Sequence, residues 1–104
     1  MTEFLELQEH IRKFADARNW HEFHTPKNLA MAVTGEAGEL ASEFQWLTAE
    51  ESKNLSREQL GAVAMEMADI AIYLLRMADV LNVDLKNAIE SKMEINENRF
   101  PSAR

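Results

Sequence analysis

The sequence predicts an all-α protein, a four-helix bundle built by one domain over residues 1–104. Apolar residues recur at every third or fourth position along four segments, which is the spacing of helices that bury one face. Only three Gly and two Pro occur, and both prolines lie outside the interiors of those segments. A chain of 104 residues is long enough for one hydrophobic core and too short for a second.

The first predicted helix covers about residues 3–18. Its apolar stripe has the spacing of a helix face and consists of Phe4, Leu7, Ile11 and Phe14. The segment 19–24 breaks this pattern and carries several aromatic and imidazole side chains, so we predict a loop rich in flat groups.

The second helix is predicted from Thr25 to about Leu47. Thr25 is a suitable N-cap, and Pro26 suits the first helical position because its missing N–H would be unpaired there anyway. Glu36 lies beside the apolar stripe of this helix, and Glu39 follows one turn later.

The third long helix contains the most apolar stretch of the chain, Leu60–Leu81. A capping box over 56–59 predicts its start, and its end is expected near Asn82. Because apolar side chains fall on every side, we predict a buried helix. Glu66 and Asp69 nevertheless lie in its middle on one face, and buried carboxylates are costly unless a partner compensates their charge.

Two shorter elements complete the bundle. A capping box over 48–51 predicts a single helical turn before Asn54. Asp84 is expected to cap a last helix from Leu85 to about Arg99. Its inward face is predicted to contain Leu85, Ala88, Ile89 and Met93.

Charge and composition exclude several classes of protein. The net charge of −7 argues against a nucleic acid polymer as partner, since no basic surface is in prospect. The absence of cysteine excludes disulfides and thiolate metal sites. No apolar run reaches the roughly 20 residues of a membrane span, and the first residues lack the features of a signal peptide. We therefore expect a cytoplasmic protein without a membrane partner.

Four carboxylates are the strongest candidates for chemistry: Glu36 and Glu39 on the second helix, and Glu66 and Asp69 on the third. Antiparallel packing of these helices would bring the two pairs face to face, where they would raise one another's pKa. A divalent cation would relieve this repulsion. Mg²⁺, or Mn²⁺, fits an all-carboxylate site better than zinc, and di-iron bundles use a histidine that is missing here. A structural reading, with the acids on a solvated helix face, stays open at this point.

The ordered motifs resemble the MazG-like all-α nucleotide pyrophosphohydrolases. The paired motifs Glu36-x-x-Glu39 and Glu66-x-x-Asp69 are separated by 26 residues, as in that family. The stretch from Asn19 through 46, the segment 69–74, and Ser91-Lys92-Met93 with the residues up to Pro101 are similar to its dCTP pyrophosphatase branch. The resemblance covers nearly the whole chain.

The resemblance implies hydrolysis of a (deoxy)nucleoside triphosphate to the monophosphate and pyrophosphate. It implies Mg²⁺ at the four carboxylates, with Glu36 or Glu39 as the base, in a house-cleaning enzyme that forms a tight homodimer or a homotetramer. The candidates for base and sugar binding are Trp20, His24, Asn28, Trp46 and Tyr73. The candidates for phosphate binding are Lys27, Lys92, Asn96 and Arg99.

The sequence departs from the family pattern at one position. A base-contacting histidine in the first helix of the mammalian dCTP enzymes aligns with Ile11, and His10 is one residue away. A deoxynucleotide range broader than dCTP alone is therefore expected. The alternatives are a phosphoribosyl-ATP pyrophosphatase and a noncatalytic helical module for interaction or metal sensing.

Overall fold

A computed structural model describes residues 2–103, which form an all-helical protein without a strand in that range. The elements are α1 (Glu3–Ala17), α2 (Pro26–Ser42), α3 (Ala49–Ser52), α4 (Arg57–Leu81) and α5 (Leu85–Arg99). The all-α prediction is confirmed, and α3 is the predicted single turn. Among the described residues, no helix is both long and apolar enough to cross a bilayer.

Side chains cap the helices where the sequence predicts them. The Thr25 hydroxyl accepts a hydrogen bond from the backbone N–H of Asn28, and reciprocal capping boxes open α3 at Thr48 and α4 at Ser56. The end of α4 is set by Asn82, which adopts a left-handed conformation with φ 58°. Asparagine tolerates this conformation better than most residues, so α4 stops where it was expected to stop.

The predicted end of α2 at Leu47 is wrong, because the helix ends at Ser42. Beyond that point the backbone N–H groups of Glu43, Phe44 and Leu47 bond to carbonyls three residues back instead of four. Such tighter turns commonly close a helix. Residues 43–47 therefore form consecutive turns, in which Trp46 is 87% exposed.

Helix α4 is the centre of the fold. Its most extensive contact is with α2 and a smaller one is with α1, whereas α5 makes no comparable contact with another helix among the described residues. The core at these contacts is small, and its buried apolar side chains are Ala15, Leu29, Val63, Leu75 and Ala78. The α2–α4 contact is the one that positions the acidic residues.

The prediction that α4 is buried is wrong for the single chain. Leu60, Met65 and Met67 are each more than half exposed, because α1 and α2 cover only part of the circumference of α4. On the expected inward face of α5, Leu85 is half-buried but Ala88, Ile89 and Met93 are exposed, and no residue of that helix is buried.

The same imbalance is visible in the dimensions of the chain. Its accessible surface is 8252 Å², whereas a compact monomer of its mass exposes about 5,900 Å². Its radius of gyration is 16.6 Å, against about 13 Å for a compact domain of this length. The single chain therefore exposes more surface than one compact domain would, and many large apolar side chains are part of that surface.

A charged cluster fastens α1 to α4. Arg12 donates two hydrogen bonds to the Asp79 carboxylate, at 2.7 and 2.8 Å. Arg76, which is only 4% exposed, lies 3.5 Å from the same carboxylate through Nη1. The Gln8 side chain adds a hydrogen bond from its amide to the Leu75 carbonyl oxygen. Asp79 thus supplies the negative charge nearest to a buried guanidinium.

We expect Asp79→Asn to lower the free energy of unfolding by about 2–4 kcal/mol, because it leaves the buried Arg76 cation without its charged partner. The matched change Arg12→Gln removes a half-exposed partner of the same carboxylate and should cost less than about 1 kcal/mol. Urea unfolding of the two variants measures the difference. Equal losses would show that the burial of Arg76 does not determine the cost.

Candidate metal and nucleotide site

Three carboxylates converge where α2 packs on α4. Glu36 lies on α2, and Glu66 and Asp69 lie one turn apart on α4, so the helix contact brings them together. One carboxylate oxygen of each residue lies within 4.8 Å of the corresponding oxygens of the other two. Like charges at this separation repel strongly, and the cluster therefore favours either a bound proton or a cation.

Glu66 is the carboxylate most affected by this arrangement. Partial burial raises its pKa above the ordinary value of 4.5, and the charges of Glu36, Asp69 and Glu39 raise it further. Its Oε2 atom is buried and has no hydrogen-bond partner among the described residues. A buried acceptor without a partner is unusual, and a ligand with positive charge would satisfy it.

Glu39 lies outside the close group of three. It is exposed at the next turn of α2, although its charge is near enough to affect Glu66. The predicted four-carboxylate set is thus present as three converging side chains with the fourth beside them. Clustered carboxylate oxygens and the unpaired Oε2 fit a hard divalent cation such as Mg²⁺, and no histidine belongs to the group.

A cavity of about 330 Å³ opens beside the carboxylates. Its lining contains Glu36 and Asp69 together with Trp20, His24 and Tyr73. The remaining lining residues are Ile11, Phe14, Ala15, Ile72 and Arg76. Three predicted base- or sugar-binding side chains are thereby placed in one cavity with two predicted metal ligands.

The aromatic part of the cavity is held by ring contacts. The Trp20 ring packs edge-on against Phe14, with centroids 5.7 Å apart, and lies 5.8 Å from the His24 ring. Trp20 still exposes 41% of its surface. A partly exposed ring fixed in this way offers a surface on which a flat heterocycle can stack.

His24 is tied to α4 by Arg76. The Nε atom of Arg76 donates to Nδ1 of His24 at 3.0 Å, so the imidazole proton resides on Nε2. Burial lowers the pKa of His24, and the positive charge of Arg76 lowers it further, which keeps the ring neutral at pH 7. Arg76 is the functional candidate that the sequence reasoning missed. The available signal was a charged residue seven positions after Asp69 in an apolar helix.

Comparison with known proteins decides the family. Residues 32–103 match the MazG-like family. The chain belongs to the MazG-like family. Human dCTP pyrophosphatase 1 is 44% identical over 92 residues, which cover 86% of this chain and 54% of the human protein. The bovine dCTP pyrophosphatase 1 is 43% identical over 91 residues.

A solved structure agrees with these relatives. A pyrophosphatase from Archaeoglobus fulgidus superposes with a TM-score of 0.91 at 38% identity, covering 98% of this chain and 95% of that one. The predicted resemblance to the dCTP pyrophosphatase branch of the MazG-like proteins is confirmed. The chain spans about half the length of the curated relatives that it matches.

The other predicted site residues of this MazG-like chain lie away from the cavity lining. Asn28 donates its side-chain amide to the Phe23 carbonyl oxygen at 2.9 Å and so orders the loop before α2. Lys27 and Trp46 are exposed, at the start of α2 and in the turns after it. Three further candidates lie on α5, which has little contact with α2 or α4: Lys92, Asn96 and Arg99.

The raised pKa of Glu66 predicts how the metal-free MazG-like domain responds to pH. The stability that protonated Glu66 supplies is complete below its unfolded value of about 4.5 and is lost as pH rises through the raised folded value. Melting temperature in EDTA should fall across that window, and Glu66→Gln should flatten the fall. Asp79 has a lowered pKa, so its contribution is lost only as pH falls toward the folded value, below the ordinary 3.8. An unchanged profile in Glu66→Gln would contradict this assignment.

Proposed function

We propose that this protein is a Mg²⁺-dependent pyrophosphohydrolase that converts a (deoxy)nucleoside triphosphate to the monophosphate and pyrophosphate. The observation that carries the proposal is the junction of an acidic cluster, at Glu36 and Asp69, with an aromatic cavity at Trp20 and Tyr73. One part suits a cation with phosphates and the other suits a nucleoside. The names of the relatives, dCTP pyrophosphatase and pyrophosphatase, support the same chemistry.

In the proposed reaction, the oxygen of a water molecule attacks the α-phosphorus and the bond to the oxygen that bridges to the β-phosphorus breaks. Glu36 or Glu39 accepts the proton of the attacking water, since a carboxylate beside the α-phosphate is positioned as a general base. Glu36, Glu39, Glu66 and Asp69 would hold a divalent cation, which when bound would neutralise phosphate charge and activate water. Mn²⁺ is expected to replace Mg²⁺ because both prefer oxygen ligands.

The aromatic residues hold the nucleoside. Trp20 offers a ring surface for the base, and neutral His24 keeps an N–H donor on Nε2. Tyr73 lies one turn beyond Asp69 on α4, a position suited to the sugar that follows the α-phosphate. We infer a preference for deoxynucleotides resembling dCTP and a role in removing surplus or unwanted nucleotides.

The proposed enzyme is a homodimer or homotetramer. The exposed apolar side chains of α4 and α5 exceed what a stable monomer of this size leaves in water, and a second copy with the same surfaces would cover them. Assembly also gives a reason for polar groups on α5 that have no site in their own chain. Lys92, Asn96, Arg99 and Trp46 are proposed to complete the nucleotide site of the neighbouring copy.

The test is pyrophosphate release from a panel of deoxynucleoside triphosphates, with Mg²⁺ and in EDTA, with phosphoribosyl-ATP as a further substrate. Release that requires Mg²⁺ and is fastest with one or more deoxynucleotides supports the proposal. Faster release from phosphoribosyl-ATP would instead identify the protein as a phosphoribosyl-ATP pyrophosphatase. Absence of release from every compound would leave a noncatalytic interaction or metal-sensing module.

A further inference from the structure

Arg76 is a buried cation whose hydrogen bonds are incomplete. It is 4% exposed, and its Nη2 atom is buried without a hydrogen-bond partner among the described residues. Its Nε donates a hydrogen bond to Nδ1 of His24, and its Nη1 lies 3.5 Å from a carboxylate oxygen of Asp79. A buried guanidinium with an unpaired nitrogen is costly, so another acceptor at that position would be bound favourably.

The nearest carboxylate, that of Asp79, does not supply the missing acceptor for Nη2. Asp79 accepts its short hydrogen bonds, of 2.7 and 2.8 Å, from Arg12 on α1. Arg76 is left with a longer ion pair to that carboxylate. The guanidinium is therefore held in place from two sides, by His24 and by Asp79, while Nη2 stays unpaired.

The position of Arg76 identifies the part of the ligand that it meets. Arg76 lines the same cavity as Glu36 and Asp69. It follows Asp69 by two helical turns, a rise of about 10 Å along α4, with Tyr73 between them. A nucleotide with its phosphates at the carboxylates and its sugar at Tyr73 places its base next to Arg76.

We propose that Arg76 is a specificity-determining residue that binds a hydrogen-bond acceptor of the nucleobase, a carbonyl oxygen or an unprotonated ring nitrogen. The inference rests on the proposed function for the orientation of the nucleotide. Arginine has only donors, and the neutral His24 beside it also keeps a donor on Nε2, so this end of the cavity selects acceptor groups. Ile11, Phe14 and Ile72 line the same cavity with apolar side chains, which strengthen a charge-assisted hydrogen bond.

The experiment compares a ligand that has a base with one that has none. Calorimetry in Mg²⁺ measures the affinity of the α,β-imido analogue of dCTP, which is not cleaved at that bond, and of tripolyphosphate. Arg76→Met is expected to weaken the analogue tenfold or more and to change tripolyphosphate by less than about twofold. Arg12→Gln, which alters the other guanidinium on Asp79 but no residue of the cavity, should leave both affinities unchanged.

Two further measurements make the outcome decisive. Arg76→Lys retains the buried charge and replaces the planar fork by a single ammonium, so it provides the same comparison if Arg76→Met does not fold. Equal weakening of both ligands, or no weakening of either, would overturn the proposal. Lack of pyrophosphate release by the unaltered protein would contradict the proposed function, while the two binding affinities would still decide the role of Arg76.

Discussion

Asp69→Asn is expected to lower kcat for pyrophosphate release by more than about a hundredfold while the protein remains folded. Even residues that only orient metal ligands change activity or metal affinity by 10- to 100-fold, and Asp69 is proposed to bind the cation itself. The carboxylate is exposed and is one of three in close contact, so its neutralisation removes repulsion and not packing. Steady-state kinetics at saturating Mg²⁺ and the melting temperature in EDTA measure the two effects separately.

Loss of turnover without loss of folding is also expected for Glu66→Gln and Glu39→Gln. Glu66→Gln should lose turnover and also raise the melting temperature of the metal-free protein at neutral pH, because the amide resembles the protonated form that the site favours. Glu58→Gln provides the control, since it removes an exposed carboxylate of the same helix outside the cluster. Full activity in Asp69→Asn or Glu39→Gln would contradict the metal role of that residue.

Met65→Glu is expected to convert the proposed oligomer to monomers and to lower its melting temperature by at least about 10 °C. Met65 is 64% exposed in the single chain, in the first half of the most apolar helix. Burial of a carboxylate in an apolar contact between copies would cost several kcal/mol. In a chain of this length each kcal/mol corresponds to about 4–8 °C.

Light scattering over a range of protein concentrations measures the assembly. Arg57→Glu places the same carboxylate at the polar first position of the same helix, where acidic groups are favourable, and should leave the mass unchanged. A monomeric mass for the unaltered protein at all concentrations would contradict the oligomer proposal. An unchanged mass for Met65→Glu would show that this part of α4 lies outside the contact.

Local signals determined how much of the fold the sequence could predict. Capping residues such as Thr25 and Ser56 act within one turn, and they located the helix starts. The end of α2 was not predictable in this way, because residues 43–47 keep apolar spacing while their hydrogen bonds shorten to three residues. The prediction that α4 is buried was wrong. The spacing of apolar residues shows which side chains avoid water, but it does not show whether the surface that covers them belongs to the same chain.

The site likewise combines features that local sequence spacing predicts with contacts that it does not predict. Spacing along one helix predicted that Glu66 and Asp69 share a face, and the contact of α2 with α4 brought Glu36 to them. The hydrogen bond between Arg76 and His24 joins residues 52 positions apart, and no local sequence pattern predicts such a contact. The sequence shows Arg76 as a charged residue in an apolar helix, and its burial and its unpaired nitrogen were needed to give it a role.

The sparse contacts of α5 connect the stability of this protein to its abundance. No residue of that helix is buried, so an isolated chain gains little free energy by keeping its last turns wound. Where association covers α5, mass action makes the folded fraction grow with the number of copies present. If the proposed oligomer forms, unassociated chains at low synthesis would expose a frayed α5 to proteases, and mainly associated copies would persist.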